Sequence, residues 1–202
     1  MRQSRTNYLC ICEGLQEKMY LKHLGDLVGG AVRINTQIGS HKALNRNEHI
    51  DYDCAVLFDH DGRETEFYEA IELCQKYDKK YRKRGGNRRT YHAYSNRNFD
   101  LWLLLHKEPF SRPVMNNGEY VQEVRRIYGL GNEDDIKKEA NIAKILEQIK
   151  LSDVREAVKR AESIRNKKLE TDGKKLSETV VYDNPDLSIH EFIKIVLASA
   201  GE

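Results

Sequence analysis

The chain has 202 residues, in which 34 Lys and Arg nearly balance 32 Asp and Glu to a formal net charge of +2. This length favours one domain with a substantial core, and the near-neutral charge excludes a strong overall attraction to nucleic acid or to an anionic membrane. No stretch approaches the roughly 20 apolar residues that cross a bilayer. We therefore expect a soluble cytoplasmic protein without a membrane partner.

The first part of the chain alternates apolar strands with an amphipathic helix. Residues 7–14 form a short apolar run closed by a Glu-Gly turn, and residues 15–28 carry apolar side chains at helical spacing. Residues 31–38 alternate apolar and polar side chains, which indicates a second strand, and residues 39–51 read as a polar loop. Residues 52–61 form a third strand that is apolar enough to be covered on both faces, as in a parallel sheet.

A second strand–helix alternation follows. Residues 64–84 place apolar side chains on one helical stripe, and residues 88–95 are a fourth strand candidate. Residues 98–110 begin a short, mostly apolar helix that ends at Pro109. The order β-α-β-β-α-β-α predicts an α/β fold of the Rossmann-like kind, with a mainly parallel sheet flanked by helices.

The rest of the chain is predicted to be helical. Helical segments are expected over residues 118–130, over residues 133–168 without interruption, and over residues 188–200, with a polar loop over residues 169–186. We therefore divide the chain into an α/β core, residues 1–112, and a helical C-terminal region, residues 113–202, that packs on or caps this core.

The four cysteines lie in or beside apolar runs. Because no export signal precedes them, we expect reduced, packed thiols rather than disulfides. Zinc is the alternative, but Cys10 and Cys12 are separated by one residue only, and no matching Cys or His pair follows.

Acidic side chains stand where two predicted strands end. Glu13 follows the first strand, and Asp59 and Asp61 follow the third. In open α/β sheets ligands bind beyond the carboxyl ends of the strands, and alternation along an extended segment puts Asp59 and Asp61 on one side, with His60 pointing away. If the first and third strands are neighbours, the three carboxylates converge.

Three converging carboxylates repel one another unless a cation lies among them. Oxygen ligands favour Mg²⁺ or Mn²⁺, which commonly bind one or two carboxylates together with a substrate phosphate. Asp59 and Asp61 would then hold the ion, and Glu13 would act as a general acid or base. The alternative is purely structural, since Asp-x-Asp can cap the following helix and Glu-Gly can be an ordinary turn.

Three segments carry a resemblance to a known family. Residues 10–24 (CICEGLQEKMYLKHL), 55–62 (AVLFDHDG) and 93–106 (AYSNRNFDLWLLLH) resemble, in this order, the RloB family, and residues 184–198 are similar to its C-terminal end. The core of that family is a Toprim domain, related to those of topoisomerases, primases and old-type (overcoming lysogenization defect) nucleases. The resemblance implies that Glu13, Asp59 and Asp61 form a metal-dependent catalytic centre.

The same resemblance marks residues 95–106 as a signature segment. Asp100 stands where the family usually has glutamate, so the charge is kept and the reach is shorter by one methylene. Ser95 and Asn96 end a strand at the same sheet edge and either cap the next helix or orient a ligand. His106 is either a structural histidine or a phosphate or water contact.

Basic residues in the loop after the second strand complete the predicted substrate-binding set. Lys42 and Arg46 stand near the same edge and are suited to contact phosphate.

Two functions are compatible with these residues. The first is a Mg²⁺- or Mn²⁺-dependent nuclease that hydrolyses DNA or RNA in a prokaryotic antiphage or restriction-associated system, as the resemblance implies. The alternative is a module that binds phosphate or nucleic acid without catalysis, or acts only with an ATPase partner protein, whose contacts the helical C-terminal region would supply. A homo-oligomer is compatible with both.

Overall fold

The computed structural model describes residues 5–83, 87–172 and 183–202. The strands are β1 (Thr6–Cys12), β2 (Val32–Ile38), β3 (Asp53–His60) and β4 (Thr90–Asn96). The helices of the first half are α1 (Leu15–Val28), α2 (Ala43–Arg46), α3 (Glu64–Lys83) and α4 (Asp100–Leu105). Those of the second half are α5 (Asn117–Tyr128), α6 (Glu139–Glu147), α7 (Leu151–Asp172) and α8 (Ile189–Ala200).

The four strands form one parallel sheet in the order β2-β1-β3-β4. The predicted α/β fold with a parallel sheet flanked by helices is therefore confirmed. β1 pairs with β3 over the register Tyr8↔Asp53 to Cys12↔Leu57. The first and third strands are thus neighbours, and their carboxyl ends lie side by side at one edge of the sheet.

Helices cover both faces of the sheet, as the apolar strands predict. Tyr8, Cys10 and Cys12 of β1 belong to a hydrophobic cluster that includes α1 and α4 to α8. Leu9 and Ile11 belong to a second cluster with α2 and α3 on the opposite face. All four cysteines are free and buried, as expected of packed thiols.

The first cluster extends across the proposed boundary at residue 112. It joins Trp102 of α4 and Tyr120 of α5 to Phe192 of α8, each of them at most 1% exposed. The division into a core and a helical region stays a prediction. In the structure α8 packs on β4 and β2, whereas α5, α6 and α7 pack on the helices α4, α1 and α8. Within the part of the chain that the structure describes, no helix is both long and apolar enough to cross a membrane.

Three predicted segments differ from the structure. The uninterrupted helix over residues 133–168 is wrong, because α6 ends at Glu147 and α7 begins at Leu151. The Asp153 carboxylate accepts the N–H of Lys150 at 2.9 Å and so starts the new helix. Residues 39–51 contain the short helix α2, whose Leu44 is fully buried. Residues 169–172 of the predicted polar loop belong to α7, whereas residues 173–182 lie outside the described residues.

A buried polar network joins the last part of the chain to β4. Arg165 of α7 donates to the Asp186 carboxylate at 2.9 Å and to the Tyr94 hydroxyl at 2.7 Å, and Tyr94 donates to Asp186 at 2.6 Å. Leu187 forms an isolated antiparallel bridge with Ser95. The segment around residues 186–188 is thus fixed along the outer edge of β4.

We expect Arg165→Met to lower the free energy of unfolding by about 3–5 kcal/mol, because Asp186 would remain buried without its partner. Chemical denaturation measures this change. Lys194→Met is the matched control, since Lys194 pairs with Glu162 on α7 through side chains that are 64% and 37% exposed, and exposed pairs contribute at most about 1 kcal/mol. Equal losses in both variants would contradict a structural role for the buried pair.

Candidate functional site

The ends of β1 and β3 bring Glu13 and Asp59 together. The Asp59 N–H donates to Glu13 Oε2 at 3.3 Å. Asp59 continues the alternation of Ala55 and Leu57, so its side chain lies on the face of the sheet that α1 and α4 cover. The register pairs Asp59 with Ser95 on β4. The carboxyl edge therefore collects polar side chains from three adjacent strands.

Asp61 reaches the same edge but is bound to a cation of its own. Both of its carboxylate oxygens accept hydrogen bonds from Arg63, at 3.2 and 2.7 Å. This contact lowers the pKa of Asp61. The charge of Asp61 still acts on Glu13, where it is one of the causes of a raised pKa. The structure thus places Asp61 at the exposed rim of the site, in an ion pair that solvent screens.

The structure adds Glu17, which the sequence reasoning missed. Glu17 lies in the first turn of α1 and is 6% exposed, and Asp100 lies in the first turn of α4 and is fully buried. Burial raises the pKa of Asp59 well above its usual range, and the charges of Glu17, Asp100 and Glu13 raise it further. We call Glu13, Glu17, Asp59 and Asp100 the carboxylate cluster.

Within the described residues, two buried oxygens of the carboxylate cluster make no hydrogen bond, namely Glu17 Oε2 and Asp100 Oδ1, although the buried Gln16 side chain is near enough to lower the pKa of Asp100. Glu17 folds back over Gly14, because a Cβ on Gly14 would lie only 2.8 Å from Glu17 Oε2. The glycine after Glu13 therefore leaves room for a second carboxylate. Buried carboxylate oxygens without donors are costly, so this arrangement is suited to receive a cation or a donor that is not part of the chain.

One cation from the helical region faces the cluster. The charge of Lys137, in the connection between α5 and α6, lowers the pKa of Glu17, of Asp59 and of Asp100. Three of the four carboxylates thus share the charge of one ammonium group. Lys137 is distant from Glu13 in the chain, and only the packing of the helices on α1 and α4 brings its charge to the sheet edge.

Asp100 is held firmly in this cluster. Asn98 Nδ2 donates to Asp100 Oδ2 at 2.9 Å, and the Asp100 N–H donates to Asn98 Oδ1 at 3.2 Å. Burial raises the pKa of Asp100 to about 6, although the Lys137 charge opposes this effect. Asp100, predicted as a substrate-binding residue, therefore lies among the carboxylates.

The other predicted substrate-binding residues are spread over the molecule. Ser95 is buried beside Asp59 and its Oγ has no partner in the described residues. Asn96 Oδ1 lies 3.4 Å from His60 Nδ1 at the same edge. Lys42 lines a depression together with side chains of α3, on the face of the sheet opposite the carboxylate cluster. Arg46 is the last residue of α2, and its side chain is exposed to solvent.

His106 lies in the hydrophobic core and is 1% exposed. Its Nδ1 donates to the Trp102 carbonyl at 2.8 Å, so its Nε2 accepts from the Tyr20 hydroxyl at 3.1 Å. Burial lowers the pKa of His106 to about 4. Both ring nitrogens make hydrogen bonds within the protein. Of the two roles predicted for His106, this geometry matches that of a structural histidine.

The cluster offers the oxygen ligands that hard divalent cations prefer. Among residues 5–83, 87–172 and 183–202, no three His, Cys, Asp or Glu side chains are already arranged around one point as a metal site would require. The donor types nevertheless fit Mg²⁺ or Mn²⁺, and the unpartnered oxygens of Glu17 and Asp100 are available for such an ion.

We expect Asp100→Asn to stabilise the metal-free protein at neutral pH. The pKa of Asp100 is about 6 in the folded protein and lower in the unfolded chain, so its ionisation favours unfolding as the pH rises through this range. The difference in unfolding free energy between Asp100→Asn and wild type should therefore grow by about 1–3 kcal/mol from about pH 4 to about pH 7.

Denaturation in the presence of a chelator measures this difference. Glu72→Gln, at an exposed position on α3, is the control and should show no such growth. A difference in unfolding free energy that is the same at both pH values would mean that folding does not raise the pKa of Asp100.

Comparisons with known proteins agree with the resemblance in the signature segments. The model of the RloB-like protein family matches residues 8–196, which is nearly the whole chain. Neither the curated proteins nor the solved structures gave a match. The matched range includes β1 except for its first two residues, all of β2, β3 and β4, the whole carboxylate cluster and most of α8. The chain therefore belongs to the RloB-like protein family.

Proposed function

We propose that this protein is a Mg²⁺- or Mn²⁺-dependent nuclease that hydrolyses phosphodiester bonds of DNA or RNA, in a prokaryotic antiphage or restriction-associated system. The observation that carries the proposal is the carboxylate cluster, in which two buried oxygens make no hydrogen bond within the described part of the chain. The family resemblance of Glu13, Asp59 and Asp61 to a Toprim catalytic centre supports the same chemistry, and membership of the RloB-like family is consistent with it.

Asp59 is the central ligand in this proposal, since the charges of Glu13, Glu17 and Asp100 all act on it. Glu17 and Asp100 would complete the ion site through their unpartnered oxygens. A bound divalent cation supplies charge neutralisation at the reacting phosphate. Asp61 would join these ligands after it releases Arg63, which a solvent-screened ion pair permits.

Glu13 is the candidate general base. Burial raises the pKa of its carboxyl group, and a raised value makes a carboxylate a better proton acceptor near neutral pH. Its Oε2 is held by the Asp59 N–H, so its position relative to the ion ligand is fixed. Lys137 faces the same carboxylates and would offer its ammonium protons to a phosphate oxygen.

The direct test is Asp59→Asn. We expect this variant to lose Mn²⁺ binding, measured by calorimetry, and to lose cleavage of plasmid DNA, single-stranded DNA and RNA by at least about a hundredfold. Glu72→Gln, a charge change at an exposed position on α3, should cleave and bind Mn²⁺ as wild type does. Full cleavage by Asp59→Asn would reject the catalytic assignment.

The same titration separates the two functions. Wild type that binds Mn²⁺ and nucleic acid but cleaves nothing supports the alternative, a recognition module that works alone or with an ATPase partner. In that case cleavage should be measured again after co-expression with such a partner.

A second prediction concerns Gly14. Gly14→Ala places a Cβ where Glu17 Oε2 now lies and moves this carboxylate out of the cluster. We expect Mn²⁺ affinity to fall by about tenfold, as for supporting groups of metal sites, with little change in unfolding temperature because the displaced group is the end of a flexible side chain. Gly25→Ala is the control, since a Cβ on Gly25 meets nothing within 4 Å.

A further inference from the structure

Arg97 has an unusual backbone conformation. Its φ is +83°, and among the residues that the structure describes it is the one residue other than glycine with positive φ. L-residues with a long side chain avoid this region because of steric conflict between the Cβ and the backbone. Strain of this kind persists only where the surroundings enforce it, and it concentrates at functional sites.

The surroundings of Arg97 do enforce it. The Arg97 N–H donates to the His60 carbonyl at 3.1 Å, and the preceding N–H, of Asn96, donates to the Asp186 carbonyl at 2.7 Å. The following Asn98 is tied to Asp100 by two hydrogen bonds. The backbone is therefore fixed on both sides of the strained residue.

This position lies next to the carboxylate cluster. The register of β3 and β4 pairs His60 with Asn96, so Arg97 stands one residue beyond the ladder, level with Asp61. Asp59 lies two residues before Asp61 on β3, and Asp100 lies three residues after Arg97 at the start of α4. The strained turn thus carries an arginine to the edge of the sheet where the phosphodiester chemistry is proposed.

Among the described residues, none is a hydrogen-bond or ion-pair partner of the Arg97 side chain. It is half-buried, and no hydrogen bond or ion pair joins its guanidinium to any described residue. Arg63, the neighbouring arginine at this edge, is by contrast already paired with Asp61. A guanidinium that stays unpaired at an acidic sheet edge is available for an anion that is not part of the chain.

Tyr120 of α5 is a second polar group without a partner at this place. It is fully buried, its hydroxyl makes no hydrogen bond within the described residues, and the charges of Arg97, Arg112 and Asp100 all act on it. The Tyr120 hydroxyl makes no hydrogen bond to Arg97 in the structure, so it would accept an N–H of Arg97 only after the guanidinium turns toward a ligand. Such a contact would orient the guanidinium and leave its other donors for a ligand.

We propose that Arg97 binds a phosphate of the substrate backbone beside the carboxylate cluster, with the Tyr120 hydroxyl as the group that orients it. Guanidinium donors match phosphate oxygens in a bidentate geometry. The proposal rests on the proposed phosphodiester chemistry and adds to it the residue that fixes the strand next to the reacting phosphate.

Inorganic phosphate is the probe for this site. We expect calorimetric titration of the full chain in Mg²⁺ to show phosphate binding that weakens by about tenfold or more in Arg97→Gln and in Arg97→Gly. Glycine accepts positive φ without strain, so Arg97→Gly should unfold at the same temperature as wild type or higher. Tyr120→Phe keeps the ring and should weaken phosphate binding by a smaller factor, about threefold.

Arg112→Gln is the matched control, because the charge of Arg112 also acts on Tyr120 while its guanidinium is already paired with Glu119 and Glu123. It should bind phosphate as wild type does. Unchanged phosphate affinity in Arg97→Gln, or no phosphate binding by wild type at about 50 mM, far above the millimolar range of weak binding, would overturn the proposal.

Mn²⁺ titration distinguishes this failure from that of the proposed function. Arg97→Gln should bind Mn²⁺ as wild type does, because Arg97 is not a member of the carboxylate cluster. Absence of Mn²⁺ binding in wild type would contradict the proposed metal-dependent function. The role of Arg97 would still be decided by the phosphate titrations.

Discussion

The repulsion among four carboxylates at one end of a parallel sheet is the constraint on which the candidate site depends. Each of them would be more stable in water, and three of them are largely withdrawn from it. The fold meets this cost with the first turn of α1, whose N-terminal end favours negative charge, with the Asn98 amide on Asp100, and with the ammonium of Lys137. These contributions are partial, which is why unpartnered oxygens remain. Proteins commonly accept such a loss of stability where activity requires it.

The rest of the architecture can be described as the support for that arrangement. The central position of β1 and β3 in the sheet aligns their ends, and the hydrophobic cluster around α4 fixes Asp100 at the same level. His106 contributes to this support from within the core, where it joins α4 to Tyr20 of α1. The two helices that carry Glu17 and Asp100 are thereby locked to each other. A site built on such rigid elements holds its side chains more precisely than one built on loops.

The sequence was sufficient for the parts of this picture that depend on local pattern. Apolar runs and alternation predicted the four strands, and the convergence of Glu13 and Asp59 was predicted on condition that the first and third strands are neighbours, which the observed order β2-β1-β3-β4 fulfils. The sequence did not predict Glu17 as a site residue, because a glutamate in the first turn of an amphipathic helix is normally exposed to solvent. Only the tertiary packing buries its side chain. Its position in the first turn of α1, directly after the Glu-Gly turn, was the available signal. Lys137 carried no signal, since its position depends on how α5 and α6 pack. The break between α6 and α7 contains neither proline nor glycine, so it depends on the hydrogen bonds of Asp153 rather than on a helix-breaking residue.

The segment fixed along β4 has a consequence for how copies of this chain can associate. Backbone groups of Tyr94 and Asn96 are already bonded to residues 186–188, so this part of the β4 edge has no free row of donors and acceptors. β2 forms the opposite edge of the sheet. Strand addition by a second copy is therefore blocked along β4 from Tyr94 to Asn96, which favours β2 as the joining strand, and a β2-to-β2 dimer would place the two carboxylate clusters in one continuous sheet.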